Sequence, residues 1–402
     1  MGDAAVARRI LREYHQRGID PGSFRRLAGT VHGDGVSYLV TAGDGQRLVV
    51  RACRADAPVP VQFRRSSRTT PLDWLIARAA TLDYLEQSGY PAPRVVRTRS
   101  GDVVGMNGVW LTLATSYVEG AVLRPSVGQL RMLGDALGRL HSLGPGQVAA
   151  DAAGAGDAGG AEVAGSAGDA GDAGPGRAMW WPGEAIPVTL ARLDRVAGLV
   201  PPDWQEMYDL FRETVRAVQA AGSLPLGVVH GDAWAANAVQ TSPAQVVLID
   251  WETGGLGVPV LDLGNCLLEC LLDAPPGGAG PEPAWDGSDA ARPGSVPAGA
   301  GSGGAGLEAW NVQPDEERIA AVAAGYRRWR ALPAAEQAML LPAIRFGAAY
   351  TGAIHFEQAL AEGVRGAAMD IRLARLRNRL AVSETVARLA ARHLGDDQKP
   401  VR

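Results

Sequence analysis

The pattern of apolar and polar positions divides the chain near residue 120. Before that point, short runs rich in branched and aromatic residues predict β-strands, and the turn residues Gly43-Asp44-Gly45 join two of these runs into a hairpin. One longer stretch, 72–87, has apolar residues at helical spacing, with Leu75, Leu82 and Leu85 on one face. The predicted strands are 38–41, 48–51, 94–96 and 109–117. These elements predict a small sheet accompanied by one long helix.

After Gly120 the apolar positions recur mostly at helical spacing. Two short apolar strands, 227–229 and 246–249, interrupt this helical part. The predicted helices are 130–143, 204–221, 319–332, 335–360 and 369–394. We therefore predict an α+β protein with two lobes: a small antiparallel-sheet lobe at 1–118 and a larger, mostly helical lobe at 119–402.

Two stretches of the second lobe contain too few large apolar residues to form a core. Residues 149–177 are almost entirely Ala, Gly and Asp, and residues 273–306 are mostly Gly, Pro, Ala and Ser. Burial in such segments does not offset a chain entropy of roughly 1–2 kcal/mol per residue. We expect both to be disordered insertions that act as spacers.

The composition excludes several classes of protein. A formal net charge of −4 does not suit a protein that binds a nucleic-acid backbone. The chain has no long uncharged apolar run for a membrane span and no apolar signal core near its first residues. Three cysteines do not make a disulfide framework. We expect a cytoplasmic protein with no nucleic-acid or membrane partner and no evident protein partner. Lys399 is the only lysine, which excludes mechanisms that require a buried catalytic lysine.

Asp232, Asn237 and Asp250 are the residues most informative about chemistry. Asp232 follows the apolar strand 227–229, so its carboxylate is expected on a loop where it can accept a proton. Asn237 lies five residues further on, and Asp250 ends the second apolar strand. One amide oxygen and one carboxylate suit Mg²⁺, which prefers oxygen ligands and retains waters and phosphate oxygens. A carboxylate base beside a Mg-bound triphosphate is what phosphoryl transfer to a hydroxyl requires.

The two motifs that contain these residues resemble a known family. His-Gly-Asp-x-x-x-x-Asn at 230–237, followed by Ile-Asp-Trp-Glu at 249–252, is similar to the aminoglycoside phosphotransferase and choline kinase-like superfamily. The similarity continues at 89–95, 117–120, 133–141 and 256–264, so it covers most of the chain outside the two insertions. The resemblance implies a protein-kinase-like fold and an ATP- or GTP-dependent kinase. Its acceptor would be a hydroxyl of a small molecule, either aminoglycoside-like or another amine-bearing metabolite.

The resemblance also implies roles for individual residues. Asp232 would be the catalytic base that orients the acceptor hydroxyl, and Asn237 and Asp250 would hold Mg²⁺. Arg51 lies on the third strand of the small lobe, where kinase-like folds usually have a phosphate-binding lysine. An arginine there contacts phosphates through a planar fork rather than a point charge.

The remaining parts of the nucleotide site are expected in the small lobe and at its end. Gly29, Gly33 and Gly35 would form the turn that covers the nucleotide. Residues 115–118, including Tyr117 and Val118, would meet the adenine edge with backbone groups.

Two further residues are candidates for contact with the acceptor. Trp234 lies inside the catalytic loop, and Glu252 follows Asp250 by two residues. For Glu252 a solvated or purely structural role is the alternative, and for Trp234 it is ordinary packing. We also expect Asp262 to bond nearby backbone amides and His230 to bond the loop backbone.

One position departs from the family pattern. The small-lobe helix of this family often carries a glutamate that pairs with the phosphate-binding basic residue, which is Arg51 in this chain. Here Arg78 is near the position of that glutamate. Three explanations are open: the alignment is shifted by one turn, another acid pairs with Arg51, or the pair is missing. The missing pair motivates a second hypothesis, a catalytically degenerate nucleotide-binding or regulatory protein.

Overall fold

The fold was analysed in a computed structural model of the chain. It describes residues 14, 23, 25–27, 35–57, 59, 70–145, 185–221, 224–271, 313–361, 363 and 367–395. The two predicted insertions, 149–177 and 273–306, lie outside the described residues, as do Gly29 and Gly33.

An antiparallel sheet forms the N-terminal part of the fold. Its strands follow the spatial order β1-β2-β3-β6-β4, and β5 pairs with β6. The predicted hairpin is confirmed: β2 and β3 are joined by a tight turn in which Gly45 has a φ of +82°. The strands are β1 (Arg25–Leu27), β2 (Val36–Thr41), β3 (Arg47–Arg54), β4 (Val95–Val96), β5 (Gly105–Asn107) and β6 (Trp110–Ser116). Since β3 lies between β2 and β6, its central residues are largely buried.

The long helix predicted at 72–87 is present as α1 (Pro71–Gln87). Thr70 and Asp73 form a capping box at its start, and proline occupies the first turn, where no amide is needed. Trp74 and Leu75 of this helix belong to a buried cluster with Cys53 of the sheet. The helix is therefore packed against the sheet, and Trp74 and Leu75 lie close to Cys53 of β3.

The C-terminal part consists mostly of helices that share one core. Its helices are α2 (Val127–Ser142), α3 (Ala185–Val196), α4 (Pro202–Ala220), α5 (Pro259–Glu269), α6 (Glu316–Arg327), α7 (Ala334–Gln337), α8 (Leu340–Phe356) and α9 (Ala367–Leu394). A π-helical turn, Glu357–Ala361, follows α8, and short 3₁₀ turns lie at Ala197–Leu199 and Ala235–Asn237. The helices α2 and α6 approach closely because they meet at glycines: a Cβ on Gly134 would lie 2.1 Å from the carbonyl oxygen of Val322. Among the described helices, none is long and apolar enough to cross a membrane.

One predicted helix is wrong as a single element. The stretch 335–360 is divided into α7, α8 and the π-helical turn. Pro342 explains the break between α7 and α8, because proline is tolerated in the first turn of α8 but would disrupt a continuous helix through Ala338.

Two small sheets of the C-terminal part position the predicted site. The strands β7 (Ala121–Val122), β9 (Ala238–Ser242) and β10 (Gln245–Leu248) form one, and β8 (Gly227–Val229) pairs with β11 (Gly255–Gly257) in the other. The strands predicted at 227–229 and 246–249 are thus confirmed as β8 and β10. Together with the first sheet and the helices, they give the α+β organisation expected from the sequence.

Candidate active site

The loop after β8 is held by backbone hydrogen bonds to one buried carboxylate. Asp262, in the first turn of α5, accepts hydrogen bonds from the amides of His230 (2.7 Å) and Gly231 (3.1 Å). Gly231 has a φ of +79°, and a Cβ there would lie 2.8 Å from Thr253, so the turn requires glycine. The predicted role of Asp262 is confirmed.

A histidine on α2 keeps Asp262 charged. Burial alone would raise the pKa of Asp262, but the hydrogen bonds from His141 Nε2 (3.1 Å) and from the His230 amide (2.7 Å) bring its pKa below the ordinary value. The Nδ1 of His141 lies 3.0 Å from the hydroxyl of Tyr326 on α6. The catalytic loop is therefore tied to α2, α5 and α6.

His230 joins the ends of the two strands that bear the predicted site. Its Nε2 lies 2.8 Å from the carbonyl oxygen of Ile249, and its Nδ1 accepts the amide of Asp232 at 3.3 Å. These bonds require a neutral ring protonated at Nε2, and burial lowers the pKa of His230 in agreement with that form. The expected bonding of His230 to the loop backbone is confirmed.

Asp232 and Asn237 are in direct contact. The Nδ2 of Asn237 donates to Asp232 Oδ2 at 2.8 Å and to the Asp232 carbonyl oxygen at 2.9 Å. Since the amide nitrogen is used in this way, the Oδ1 of Asn237 is the atom left for a cation. Burial, together with the negative charges of Asp250 and Glu269, raises the pKa of Asp232 to about 7. A carboxylate with this pKa can hold or release a proton near neutral pH.

Asp250 has an unusual backbone conformation at the end of β10. Its φ is +62°, and within the described ranges no other non-glycine residue has a positive φ. Such conformations are uncommon and concentrate at functional sites. Its carboxylate is exposed and interacts electrostatically with Asp232. The amide of Ile249, the preceding residue, donates to the Asn237 carbonyl oxygen at 2.8 Å, which joins the two candidate metal ligands through the backbone.

These oxygen atoms suit Mg²⁺ better than a transition metal. The described residues contain no cluster of three or more His, Cys, Asp or Glu side chains able to hold a metal ion. Mg²⁺ is commonly held by one or two protein oxygens, with waters and substrate phosphates completing its octahedron. The Asp250 carboxylate and the Asn237 amide oxygen fit that requirement, and their negative surroundings favour a cation.

Arg51 is buried and fixed from two sides. Its guanidinium forms an ion pair with Glu252 and lies 5.0 Å from the centre of the Trp74 ring. The indole nitrogen of Trp74 in turn donates to the Glu252 carbonyl oxygen at 3.4 Å. Of the three explanations for the missing helix glutamate, the structure supports the second, because an acid from the loop after β10 pairs with Arg51.

The other predicted site residues that the structure describes lie in loops next to the strands. A Cβ on Gly35 would lie 3.6 Å from Arg51 Nη2, so β2 begins beside the arginine. Tyr117 and Val118, both partly buried, connect β6 to β7, and the Tyr117 amide already donates to the Arg47 carbonyl oxygen at 2.9 Å. Trp234 is partly buried within the catalytic loop.

Two residues near the site are not identified from the sequence, and a third, Arg78, is noted there only as a departure from the family pattern. Trp74 contacts Arg51, Glu269 contributes to the raised pKa of Asp232, and Arg78 interacts electrostatically with Asp250. Only the four-residue spacing of Trp74 and Arg78 on α1 would have indicated that these two share a helix face.

The fold and the site together define a class of protein. Phosphoryl transfer needs a positioned base and charge stabilisation, with little covalent chemistry from the protein. A carboxylate near its titration point, adjacent oxygen ligands and a buried arginine on the neighbouring sheet meet those needs, so the chain is a phosphotransferase of the kinase type. The sequence matches the model of the phosphotransferase enzyme family, APH, over residues 25–292. That match covers more than half of the chain, which therefore belongs to this family and is a small-molecule kinase.

Solved structures agree with the fold. Amicoumacin kinase hAmiN, in complex with AMP-PNP, Ca²⁺ and Ami, is 15% identical, with 96% of each chain covered and a TM-score of 0.57. A microcompartment-associated aminopropanol kinase is 18% identical, with 98% of this chain and 99% of that chain covered and a TM-score of 0.55. The aminoglycoside phosphotransferase from Alicyclobacillus acidocaldarius is 13% identical, with 95% and 96% covered and a TM-score of 0.52. These likenesses confirm the kinase-like α+β fold. No curated protein sequence matches the chain.

Proposed function

We propose that the protein transfers the γ-phosphate of ATP or GTP to a hydroxyl group of a small molecule. The observation that carries this proposal is the contact of Asp232 with Asn237 at 2.8 Å beside the strained Asp250. This arrangement would bring a base and two metal ligands together in the loops that follow β8 and β10 and precede β9.

Asp232 is the proposed base. A carboxylate oxygen of Asp232 would accept the proton of the acceptor hydroxyl as the hydroxyl oxygen forms its bond to the γ-phosphorus. The bond from that phosphorus to the bridging oxygen of the nucleoside diphosphate breaks in the same transfer. The hydrogen bond from Asn237 Nδ2 fixes the orientation of the Asp232 carboxylate for this role.

The nucleotide would lie between the sheet and the helical part of the chain. Arg51 would contact its phosphates, Gly33 and Gly35 would lie in the turn that covers them, and the backbone at Tyr117 and Val118 would meet the base. Asn237 and Asp250 would hold Mg²⁺, which supplies neutralisation of the phosphate charge when it is bound. We place the reaction in the cytoplasm, in agreement with three cysteines that are free and buried.

The acceptor is proposed to be an amine-bearing small molecule of aminoglycoside-like or simpler amino-alcohol type. The solved structures of similar fold include kinases named for amicoumacin and for aminopropanol. Trp234 and Glu252 remain candidates for acceptor contact, although the ion pair with Arg51 already uses the Glu252 carboxylate.

The test is Mg²⁺-dependent transfer from ATP and from GTP to a panel of aminoglycosides, other amine antibiotics, choline-like amines and hydroxy amino acids. The added phosphoryl group is read by mass. Asp232→Asn should lower the rate by roughly 10²- to 10⁴-fold. Asp209→Asn, which removes the same charge at an exposed position on α4, should not change it.

Two results would contradict the proposal. Transfer that persists undiminished in Asp232→Asn would show that Asp232 is not the base. Tight binding of the Mg-nucleotide with no transfer to any acceptor would favour the degenerate, nucleotide-binding alternative. An aminoglycoside product would indicate a role in antibiotic resistance.

A further inference from the structure

Arg78 is a cation with unused hydrogen-bond donors in the candidate active site. It lies on α1, and its Nε and Nη1 atoms are buried with no hydrogen-bond partner among the described residues. Buried donors without partners are uncommon in native proteins, because each one forfeits its bonds to water. An arginine in this state beside Asp250 is suited to an oxygen-bearing ligand that would complete its bonding.

Among the described residues, Asp250 is the acid whose charge acts on Arg78. The pKa of Arg78 is lowered by burial and raised by the charge of Asp250 and by the Cys53 thiol. Burial raises the pKa of Cys53 to about 11, so this thiol is neutral at physiological pH. Glu252, two residues after Asp250, is already paired with Arg51.

Asp250 does not satisfy the two buried donors of Arg78. The two residues interact electrostatically, but neither Nε nor Nη1 of Arg78 bonds to Asp250. Asp250 is also one of the two proposed metal ligands, so a bound cation would offset the charge that it offers to Arg78. The guanidinium would then face the phosphate oxygens that accompany the cation.

We propose that Arg78 binds the polyphosphate of the nucleotide together with Arg51. In this family the small-lobe helix often supplies an acid that pairs with the phosphate-binding residue of the sheet. Here the helix supplies a second arginine instead, and the acid that pairs with Arg51 comes from the loop after β10. This inference rests on the proposed function, because it requires a nucleotide in the cleft. It assigns to Arg78 a direct contact with the substrate that carries the transferred phosphate.

The test compares the binding of Mg²⁺ complexes of ATP, ADP and AMP, and of adenosine, to the full chain and its variants by calorimetry. Arg78→Ala should weaken ATP binding by roughly 10- to 100-fold, because a charge-assisted hydrogen bond is lost. The loss should shrink from ATP to AMP and vanish for adenosine. Arg78→Lys should recover only part of the affinity, because a point charge does not reproduce a planar fork of donors.

The control is Arg97→Ala. It removes an exposed arginine directly after β4, which pairs with Asp83 of α1 at 2.6 Å. It should bind all four ligands like the wild type. Arg78→Gln keeps most of the side-chain bulk and serves as a second variant, and circular dichroism verifies the fold of each protein.

Three results would overturn the proposal. Unchanged ATP affinity in Arg78→Ala and Arg78→Gln would show that Arg78 does not contact phosphate. Tighter binding of the Mg-nucleotide in these variants would show that Arg78 only competes with the cation at Asp250. An equal loss for adenosine and ATP would show a structural role. A wild-type protein that binds nucleotide in this way but transfers no phosphate contradicts the proposed function alone.

Discussion

Replacing Glu252 with glutamine should destabilise the protein through Arg51. Both side chains of this ion pair are largely buried, with 6% of Arg51 and 16% of Glu252 exposed. The variant removes the carboxylate that pairs with Arg51, whose guanidinium lies 5.0 Å from the centre of the Trp74 ring. Removing one partner of a fully buried pair typically costs about 3–5 kcal/mol. Because Glu252 is partly exposed, we expect a loss of about 2–4 kcal/mol in the free energy of unfolding.

The assay is urea denaturation followed by circular dichroism, supported by thermal melts in which the midpoint should fall by roughly 4–10 °C. Asp56→Asn is the matched control, because it breaks the Arg54–Asp56 pair, whose side chains are 40% and 59% exposed. Exposed pairs contribute about 0–1 kcal/mol, so this control should remain close to the wild type.

A double-mutant cycle tests whether loss of the Arg51–Glu252 ion pair causes the destabilisation. Arg51→Gln combined with Glu252→Gln removes both charges, so the double variant should be more stable than the sum of the two single losses predicts, by about 1–3 kcal/mol. A Glu252→Gln protein as stable as the wild type would refute the reasoning. So would single losses that add without coupling.

Three other changes have expected outcomes. The folded-state pKa of Asp232, about 7, lies above the unfolded value of about 3.9, so the folded state binds more protons and stability falls as pH rises between these values. Asp232→Asn should therefore raise the free energy of unfolding of the metal-free protein at pH 8 by roughly 2–4 kcal/mol. Near pH 3.5 it should leave that free energy unchanged, and chemical denaturation in EDTA measures both values. Gly231→Ala should cost about 1–3 kcal/mol and reduce kcat, because its Cβ would meet Thr253 at 2.8 Å at a positive φ. Gly134→Ala should lower the thermal midpoint with no change in KM, because its Cβ would force α2 away from Val322 at a site remote from the nucleotide.

The sequence predicts well those elements whose determinants are local. The β2–β3 hairpin follows from its turn glycines, and α1 follows from its apolar spacing. The catalytic loop is equally clear, because Asp232 and Asn237 are only five residues apart and follow an apolar strand. These features need no knowledge of distant parts of the chain.

The unpredicted features depend on contacts between residues far apart in the sequence. Strands such as β7, with two residues, and β11, with three, exist because neighbouring strands supply their hydrogen bonds. The pairing of Arg51 with Glu252 joins a strand of the first sheet to the loop after β10, and no local pattern indicates it. The sequence shows that no glutamate lies near position 78. It does not show that Glu252, after β10, pairs with Arg51 instead.

The contact between α2 and α6 has a practical consequence for the boundaries of the folding unit. The match to the family ends at residue 292, whereas α6 begins at Glu316. Gly134 and Gly138 of α2 have no side chains because the backbone of α6 occupies that space. A chain cut at residue 292 would expose this face of α2 to water and remove Tyr326 from His141, the residue that holds Asp262. The segment that must be expressed to obtain an intact catalytic loop therefore extends well beyond the segment by which the family is recognised.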